Sequence, residues 1–266
     1  MIPRCDMHTH TLYCDGKNTP EEMILGAIDA GCEVIGISGH SPLEGEDWCM
    51  TEAGMAEYIS EITALKSKYA ERIEVLLGLE YDMKSECDTA PFDYIIGSVH
   101  YVSDIPVDLS ADSLKKEIER RYGGDFYAFA RDYYENMYEL DKKTGCDIVG
   151  HFDLLTKFNE GGRLFDESDE RYRRYATDAL DYLISRDLIF EINTGAMSRG
   201  YRNSPYPSEF LLRRMIEKGG RIMLNSDSHS AKNICFAFNE ALEYARYCGA
   251  RELTVVKNGK FTALKI

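Results

Sequence analysis

The chain has 266 residues, of which 44% are hydrophobic and 29% charged, and its formal net charge is −15 at pH 7. An α/β barrel commonly uses about 250 residues, so we expect a single domain over 1–266 and no nucleic-acid partner, because phosphate backbones bind clustered lysine and arginine. We also expect a cytoplasmic protein without a membrane span, because no apolar run reaches about 18 residues, the N-terminus lacks a signal-peptide pattern and the cysteines show no disulfide spacing.

The first half of the chain alternates short apolar runs with amphipathic segments. A strand at about 4–7 precedes a helix that Thr19 caps, with Pro20 in the first turn and Glu22 completing a capping box. VIGIS, IEVLLGLE and FDYIIGSVH predict strands two, three and four, and a helix at about 52–69 separates the second from the third. A long insertion then contains two predicted helices, at 110–122 and 126–143.

The second half continues the alternation. CDIVGH, LIFEIN and RIMLNSD predict strands five, six and seven, with helices at about 167–185, 207–218 and 232–248. Asn258-Gly259 lies between alternating residues and predicts a terminal hairpin or a closing strand. Seven strand-helix units indicate an α/β fold, a distorted seven-stranded (β/α)7 barrel of the TIM-like type. A doubly wound sheet is the competing topology.

All six histidines of the chain lie at the ends of these apolar runs, and two further runs end in a carboxylate. The C-terminal ends of barrel strands meet on one face, and imidazole and carboxylate are ligands for first-row divalent metals. We therefore predict a metal site there, with a further carboxylate from the first loop. The candidate ligands are His8, His10, Asp15, His40, Glu80, His100, His151, Asp227 and His229.

These segments resemble the polymerase-and-histidinol-phosphatase (PHP) metallohydrolase family, most closely its histidinol-phosphate phosphatase branch. The resembling segments run from residue 5 to residue 229 and are DMHTHTLYCDG, GISGHSP, GLEYD, DYIIGSVHYV, DIVGHFDLLTKFN, EINTGAMSRG and NSDSH. The resemblance implies a distorted barrel holding three divalent ions, which could be zinc, iron or manganese. It implies one ion among His8, His10, Glu80 and Asp227, a second among Asp15, His40 and His229, and a third among Glu80, His100 and His151.

The same resemblance implies a histidinol-phosphatase, a phosphoric monoester hydrolase of histidine biosynthesis. Such an enzyme hydrolyses L-histidinol phosphate to L-histidinol and phosphate, through a hydroxide that bridges the metals. One alternative is a family phosphoesterase that acts on nucleotides or other small phosphate esters. Another is a metal-dependent binding or regulatory protein without turnover. If the protein is either of these two enzymes, its partner is a small phosphorylated substrate.

Polar residues of the predicted loops supply candidates for the remaining roles. Arg163, Arg199 and Arg202 could hold the phosphate through their guanidinium groups, and Ser41 is a further substrate-binding candidate. Asp153 follows the predicted ligand His151 by two positions, so we expect it to act as the general acid that protonates the leaving alkoxide.

Overall fold

The computed structural model of the protein describes residues 3–266. Its strands in chain order are β1 (Cys5–Asp6), β2 (Val34–Ile37), β3 (Glu74–Asp82), β4 (Tyr94–Ser98), β5 (Tyr101–Val102), β6 (Ile105–Pro106), β7 (Ile148–Val149), β8 (Ile189–Asn193), β9 (Arg221–Asn225), β10 (Glu252–Lys257) and β11 (Lys260–Lys265). Its helices are α1 (Pro20–Asp29), α2 (Glu52–Tyr69), α3 (Ala111–Tyr122), α4 (Phe126–Asn136), α5 (Leu140–Thr144), α6 (Glu170–Ser185), α7 (Gly195–Ser198), α8 (Glu209–Glu217) and α9 (Phe238–Cys248).

Seven of the strands form one parallel sheet in the order β1-β2-β3-β4-β7-β8-β9. The first and last strands approach each other just beyond their ends, where Thr9 and Ser228 form a parallel bridge. There His10 N donates to Ser228 O at 2.8 Å, and Ser228 N donates to His8 O at 3.1 Å. The sheet therefore curls into a nearly closed barrel, which confirms the predicted seven-stranded (β/α) barrel over the doubly wound alternative.

A small apolar cluster fills the barrel interior. It takes at least one side chain from each barrel strand or its edge, and its members are Cys5, Met7, Val34, Leu76, Tyr94, Ile96, Ile148, Ile189 and Met223 together with Val256 of β10. The Tyr94 hydroxyl donates to Met7 O at 2.5 Å, and its ring lies against the main chain at Gly36 and Gly78. The two glycines make room for the ring, because any Cβ there would overlap it.

The C-terminal hairpin β10–β11 covers the N-terminal end of the barrel. It turns at Asn258 and Gly259, whose φ values of 51° and 67° are those of a two-residue hairpin turn. Val255 and Phe261 of the hairpin pack against the interior cluster. The carboxylate of Glu74, at the start of β3, accepts hydrogen bonds from the main-chain nitrogens of the turn. The sequence left open a hairpin or a closing strand, and the structure shows the hairpin.

The helices surround the sheet and pack on it through a second, larger apolar cluster. The predicted capping box of α1 is present, with the Thr19 hydroxyl accepting from Glu22 N and the Glu22 carboxylate accepting from Thr19 N. The predicted boundaries of α2 are also correct. None of the helices in residues 3–266 combines the length and the apolar composition needed to cross a membrane.

Some predicted helices are shorter than expected, or divided. The segment predicted as one helix over 126–143 is α4 followed by α5, with a break after Asn136. The helix predicted from 232 begins at Phe238, because Cys235 and Ala237 have positive φ values, which a right-handed helix does not accommodate. The hairpin of β5 and β6, which follows His100, was not predicted.

The packing of Tyr94 inside the barrel gives a first testable prediction. Gly78→Ala should lower the free energy of unfolding by about 1–3 kcal/mol, because the added methyl overlaps the ring in a filled interior. Urea denaturation followed by circular dichroism measures this loss. In the double variant Gly78→Ala/Tyr94→Leu the smaller side chain relieves the overlap. The double variant should therefore lose less free energy of unfolding than the sum of the losses in the two single variants. Strict additivity would contradict this account of the interior.

Candidate metal centre

All nine predicted ligand side chains converge at the C-terminal end of the barrel. Their donor atoms form four overlapping groups, within each of which all donor atoms lie within 4.8 Å of one another. The groups are His10, Asp15, His40 and His229; His8, His10 and Asp227; His8, Glu80 and His151; and His40, Glu80 and His100. Residues separated by up to 221 positions in the sequence thus meet at one place, because every parallel strand ends on this face.

Glu80 lies at the centre of the cluster, in β3, and is about 1% exposed. Its two carboxylate oxygens face five imidazoles. Oε2 lies 2.9 Å from His40 Nδ1, 3.1 Å from His8 Nε2 and 3.5 Å from His10 Nε2, and Oε1 lies 3.0 Å from His151 Nε2 and 3.5 Å from His100 Nε2. The hydroxyl of Ser98 donates to Oε1 at 2.6 Å. No other carboxylate of the described residues contacts as many histidines.

The centre contains buried polar atoms that the protein does not satisfy. His8 Nε2, His10 Nε2 and Glu80 Oε2 have no hydrogen-bond partner. Leaving a polar atom buried and unpaired costs about 1–3 kcal/mol, yet these three atoms point at a common space. Each of the three residues belongs to a group of donor atoms close enough to hold one divalent cation, so the residues present fit metal ions.

The candidate ligands differ in protonation. Burial alone would lower the pKa of His8 and of His100, but Glu191 holds the first well above its usual range and Asp82 raises the second to about 9, so a cation must displace a proton from these two rings. Burial, followed by the charges of His229 and His40, lowers the pKa of His10 to about 3, so its imidazole is neutral and has a lone pair for a cation. Burial alone would raise the pKa of Glu80, but the imidazoles of His40 and His8 hold that pKa well below its usual range. Burial alone would also raise the pKa of Asp227, but Arg199 and His8 hold that pKa well below its usual range. Both carboxylates are therefore ionised.

Two carboxylates that the sequence analysis did not select hold the histidines from behind. Glu191 Oε1 lies 2.7 Å from His8 Nδ1, and Asp82 Oδ2 lies 3.0 Å from His100 Nδ1. Each contact engages Nδ1 and directs Nε2 of the same ring toward the cluster. The sequence contained a signal for Glu191, because a carboxylate inside the apolar run LIFEIN must be paired to be buried there.

Glu191 also joins the strands on either side of it. Its Oε2 accepts from His151 N and from Asn193 Nδ2, both at 3.0 Å. Its Oε1 accepts from Asn225 Nδ2 at 2.7 Å, in addition to the contact with His8. One buried carboxylate therefore fixes groups from β8, from β9 and from the ends of two other strands.

The mouth of the cluster holds its most exposed members. Asp15, whose side chain is 35% exposed, lies 3.0 Å from His229 Nε2 and 3.6 Å from His40 Nε2. Arg199 donates to the Asp227 carboxylate at 3.0 Å and lies 3.0 Å from His229 Nδ1. A cavity of about 630 Å³ opens above this mouth and is lined by seven of the nine candidate ligands together with Arg199 and Lys157.

Of the predicted substrate-binding residues, only Arg199 lines this cavity. Arg163 is exposed in a loop outside it. Arg202 is buried and donates to the main-chain oxygen of Thr156, so its guanidinium is used in holding a neighbouring loop. Ser41 is buried behind the cluster, where its hydroxyl donates to Ser85 Oγ at 2.7 Å. The structure therefore corrects the predicted placement of these three side chains.

The structure also corrects the predicted placement of Asp153. Its side chain is fully buried, and Oδ2 accepts from both the main-chain nitrogen and the hydroxyl of Ser208, at 2.8 and 2.6 Å. It does not line the cavity, although the neighbouring Leu154 does. This position gives no support to the predicted role of Asp153 as the general acid. Its contacts instead tie the loop after β7 to the start of α8.

Comparisons with known proteins give one consistent result. The model of the family described as PHP domain matches residues 6–195. A Deinococcus radiodurans protein named "Probable histidinol-phosphatase" is 31% identical over 96% of this chain and 97% of its own length. A Schizosaccharomyces pombe protein of the same name is 29% identical over 95% of this chain and 89% of its own length.

A solved structure resembles the chain over nearly its whole length. It is the crystal structure of histidinol phosphate phosphatase from Lactococcus lactis subsp. lactis, complexed with zinc, L-histidinol and phosphate. The TM-score is 0.73 at 26% sequence identity, and the match covers 98% of this chain and 100% of that one.

The position of Glu191 behind His8 yields a prediction about cation binding. Glu191→Gln replaces one acceptor oxygen with an amide that must face donors, so the affinity for divalent cations should fall by about 10- to 100-fold. Competition with a chromophoric chelator measures this affinity. Glu33→Gln, a control at an exposed side chain, should leave it unchanged. Equal affinities in the two variants would show that Glu191 does not support the centre.

Proposed function

Because the chain belongs to the PHP domain family, we propose that it is a metal-dependent histidinol-phosphatase, which hydrolyses L-histidinol phosphate to L-histidinol and phosphate. The observation that carries this proposal is the buried cluster of imidazoles and carboxylates, open on one side to a cavity with a guanidinium at its edge. Relatives that match nearly the whole chain bear the name of this activity. The substrate is a small molecule, which a cavity of about 630 Å³ accommodates.

We assign the nine candidate ligands to three divalent cations. Each imidazole offers one atom to one cation, so the four overlapping groups cannot all be filled at once. If His8 and His10 share a cation with Asp227, the first group retains Asp15, His40 and His229. The two groups that contain Glu80 then retain His100 and His151, so Glu80, His100 and His151 would hold the third cation. Zinc, iron and manganese all accept such ligands.

When bound, cations at such a centre lower the pKa of water and offset charge on phosphoryl oxygens. The chain's own part is to position the substrate. Arg199 is held by Asp227 at the edge of the cluster, and its remaining guanidinium edge can donate to a phosphate oxygen. Lys157 lines the same cavity, with Nζ held 3.1 Å from Asp108 Oδ2. These two side chains place positive charge where the dianion of a phosphate monoester would lie.

Removing the metal tests whether the proposed phosphatase activity depends on bound cations. Protein stripped with a chelator should release less than about 1% of the phosphate that untreated protein releases, because no side chain in the cavity replaces the cations. Adding back zinc, manganese or ferrous iron should restore the activity, with about three equivalents bound per chain by elemental analysis. Full activity without metal would contradict the proposal. Metal binding without any phosphate release would identify a binding protein instead.

The substrate assignment is tested with a panel of phosphate esters. Histidinol phosphate should exceed nucleotides and simple alkyl phosphates in kcat/KM by at least about 100-fold, the discrimination that a site built for one polar substrate provides. A nucleotide that performed equally well would favour the broader phosphoesterase. The protein for this measurement should be purified without chelators.

Arg199 provides a test of phosphate positioning. Arg199→Gln should lower kcat/KM for the phosphate ester by about 100- to 1000-fold, as is typical when one donor to a developing charge is lost. Arg163→Gln removes the same charge from an exposed loop outside the cavity and should change kcat/KM by less than about twofold. Similar losses in both variants would mean that Arg199 acts only through the overall charge of the protein.

A further inference from the structure

The loop after β2 brings an acidic and aromatic corner to the cavity. Glu46, Trp48 and Tyr101, which we call the Glu46 corner, all line the cavity that opens above the metal centre. The ring centroid of Trp48 lies 4.6 Å from that of His40 and 5.3 Å from that of His100. A molecule bound at the cluster must therefore extend past this corner.

The Glu46 carboxylate is held in place. Trp48 Nε1 donates to Glu46 Oε2 at 2.9 Å, and the rings of Trp48 and Tyr101 stack with their centroids 6.4 Å apart. A neutral donor thus orients the carboxylate without neutralising it.

Among the acids that line the cavity, Glu46 differs in its partners. Asp104 forms an ion pair with Arg121, and Asp108 forms one with Lys157. Glu46 has no cationic side chain within 4.0 Å in the described part of the chain. Lys84 approaches the corner, but its Nζ lies over the ring of Tyr101, 4.3 Å from the centroid. Asp47 lines the cavity too, but its side chain is exposed and no hydrogen bond orients it.

A fixed, unneutralised carboxylate beside two aromatic faces is the arrangement that binds an ammonium group. We propose that the Glu46 corner binds the positively charged amine of the leaving alcohol and thereby selects amino-alcohol phosphates over neutral esters. This assignment rests on the proposed phosphatase function. The cavity is then polarised, with Arg199 and Lys157 serving the phosphate end and Glu46 serving the amine end.

The test measures the ratio of kcat/KM for two substrates, one with an amine and one without. For Glu46→Gln, the ratio of kcat/KM for histidinol phosphate to kcat/KM for butyl phosphate should fall by about 10- to 100-fold, the loss expected for one charge-assisted hydrogen bond. The loss should appear mainly in KM, because the ammonium group takes no part in breaking the ester bond and is bound in the ground state as well as in the transition state. Trp48→Phe removes the donor that orients Glu46 and should lower the same ratio by a smaller factor.

A matched control lies in the same loop. Glu44 is exposed and does not line the cavity, so Glu44→Gln changes the net charge equally and should leave the ratio within about twofold of the original protein. Metal content measured on each variant shows whether the centre is intact. A Glu46→Gln protein with full metal content and an unchanged ratio would overturn the proposal, as would an equal loss for both esters.

The design separates this inference from the function on which it rests. If the unaltered protein shows no preference for histidinol phosphate, the proposed substrate is wrong. If it shows the preference and Glu46→Gln retains it, the substrate stands and the Glu46 corner is not its amine site.

Discussion

The buried carboxylate of Glu80 is the interaction on which the centre depends. An ionised carboxylate that is about 1% exposed is costly unless several groups compensate its charge, and here five imidazoles surround it. Those imidazoles come from four different strand ends, so the carboxylate can be satisfied only when the barrel has closed. The geometry of the site therefore depends on the topology of the sheet, and neither can change without the other.

The two ends of the barrel interior differ in composition and in role. At the N-terminal end, apolar side chains fill the interior around Tyr94 and the terminal hairpin covers them. At the C-terminal end, polar side chains replace them, and Glu191 and Asp82 fix the histidine rings through Nδ1. An apolar interior tolerates substitutions of similar volume, whereas a buried polar network fails when one member is left unpaired. Substitutions at the C-terminal end should therefore be tolerated less well than volume-conserving substitutions in the apolar interior.

The sequence predicted the fold and the convergence of the nine candidate ligands for the same reason. Short apolar runs mark barrel strands, and a histidine or carboxylate that ends such a run has a fixed position relative to the sheet. Loop residues lack that reference. Asp153 lies 4 residues beyond the end of β7, Arg202 lies 9 beyond β8 and Arg163 lies 14 beyond β7, where the local turns decide which way a side chain points. Arg199 reaches the cavity because the short helix α7 turns it back over Asp227, and nothing in the sequence specified that turn.

The charges at the centre also explain why the chain needs cations there. Glu80, Asp227 and Asp15 are ionised, Glu191 and Asp82 lie directly behind them, and Arg199 is the only arginine of the described residues that pairs with any of the five. Burial lowers the pKa of His10 to about 3, so that ring offsets none of this charge, whereas Glu191 and Asp82 outweigh burial and raise the pKa of His8 and of His100, so protons on these two rings offset part of it when no cation is bound. Divalent cations supply the missing positive charge and satisfy the unpaired nitrogens at the same time. The free energy of cation binding therefore contributes to the stability of this end of the barrel, and the same ions that would activate the substrate also hold its site together.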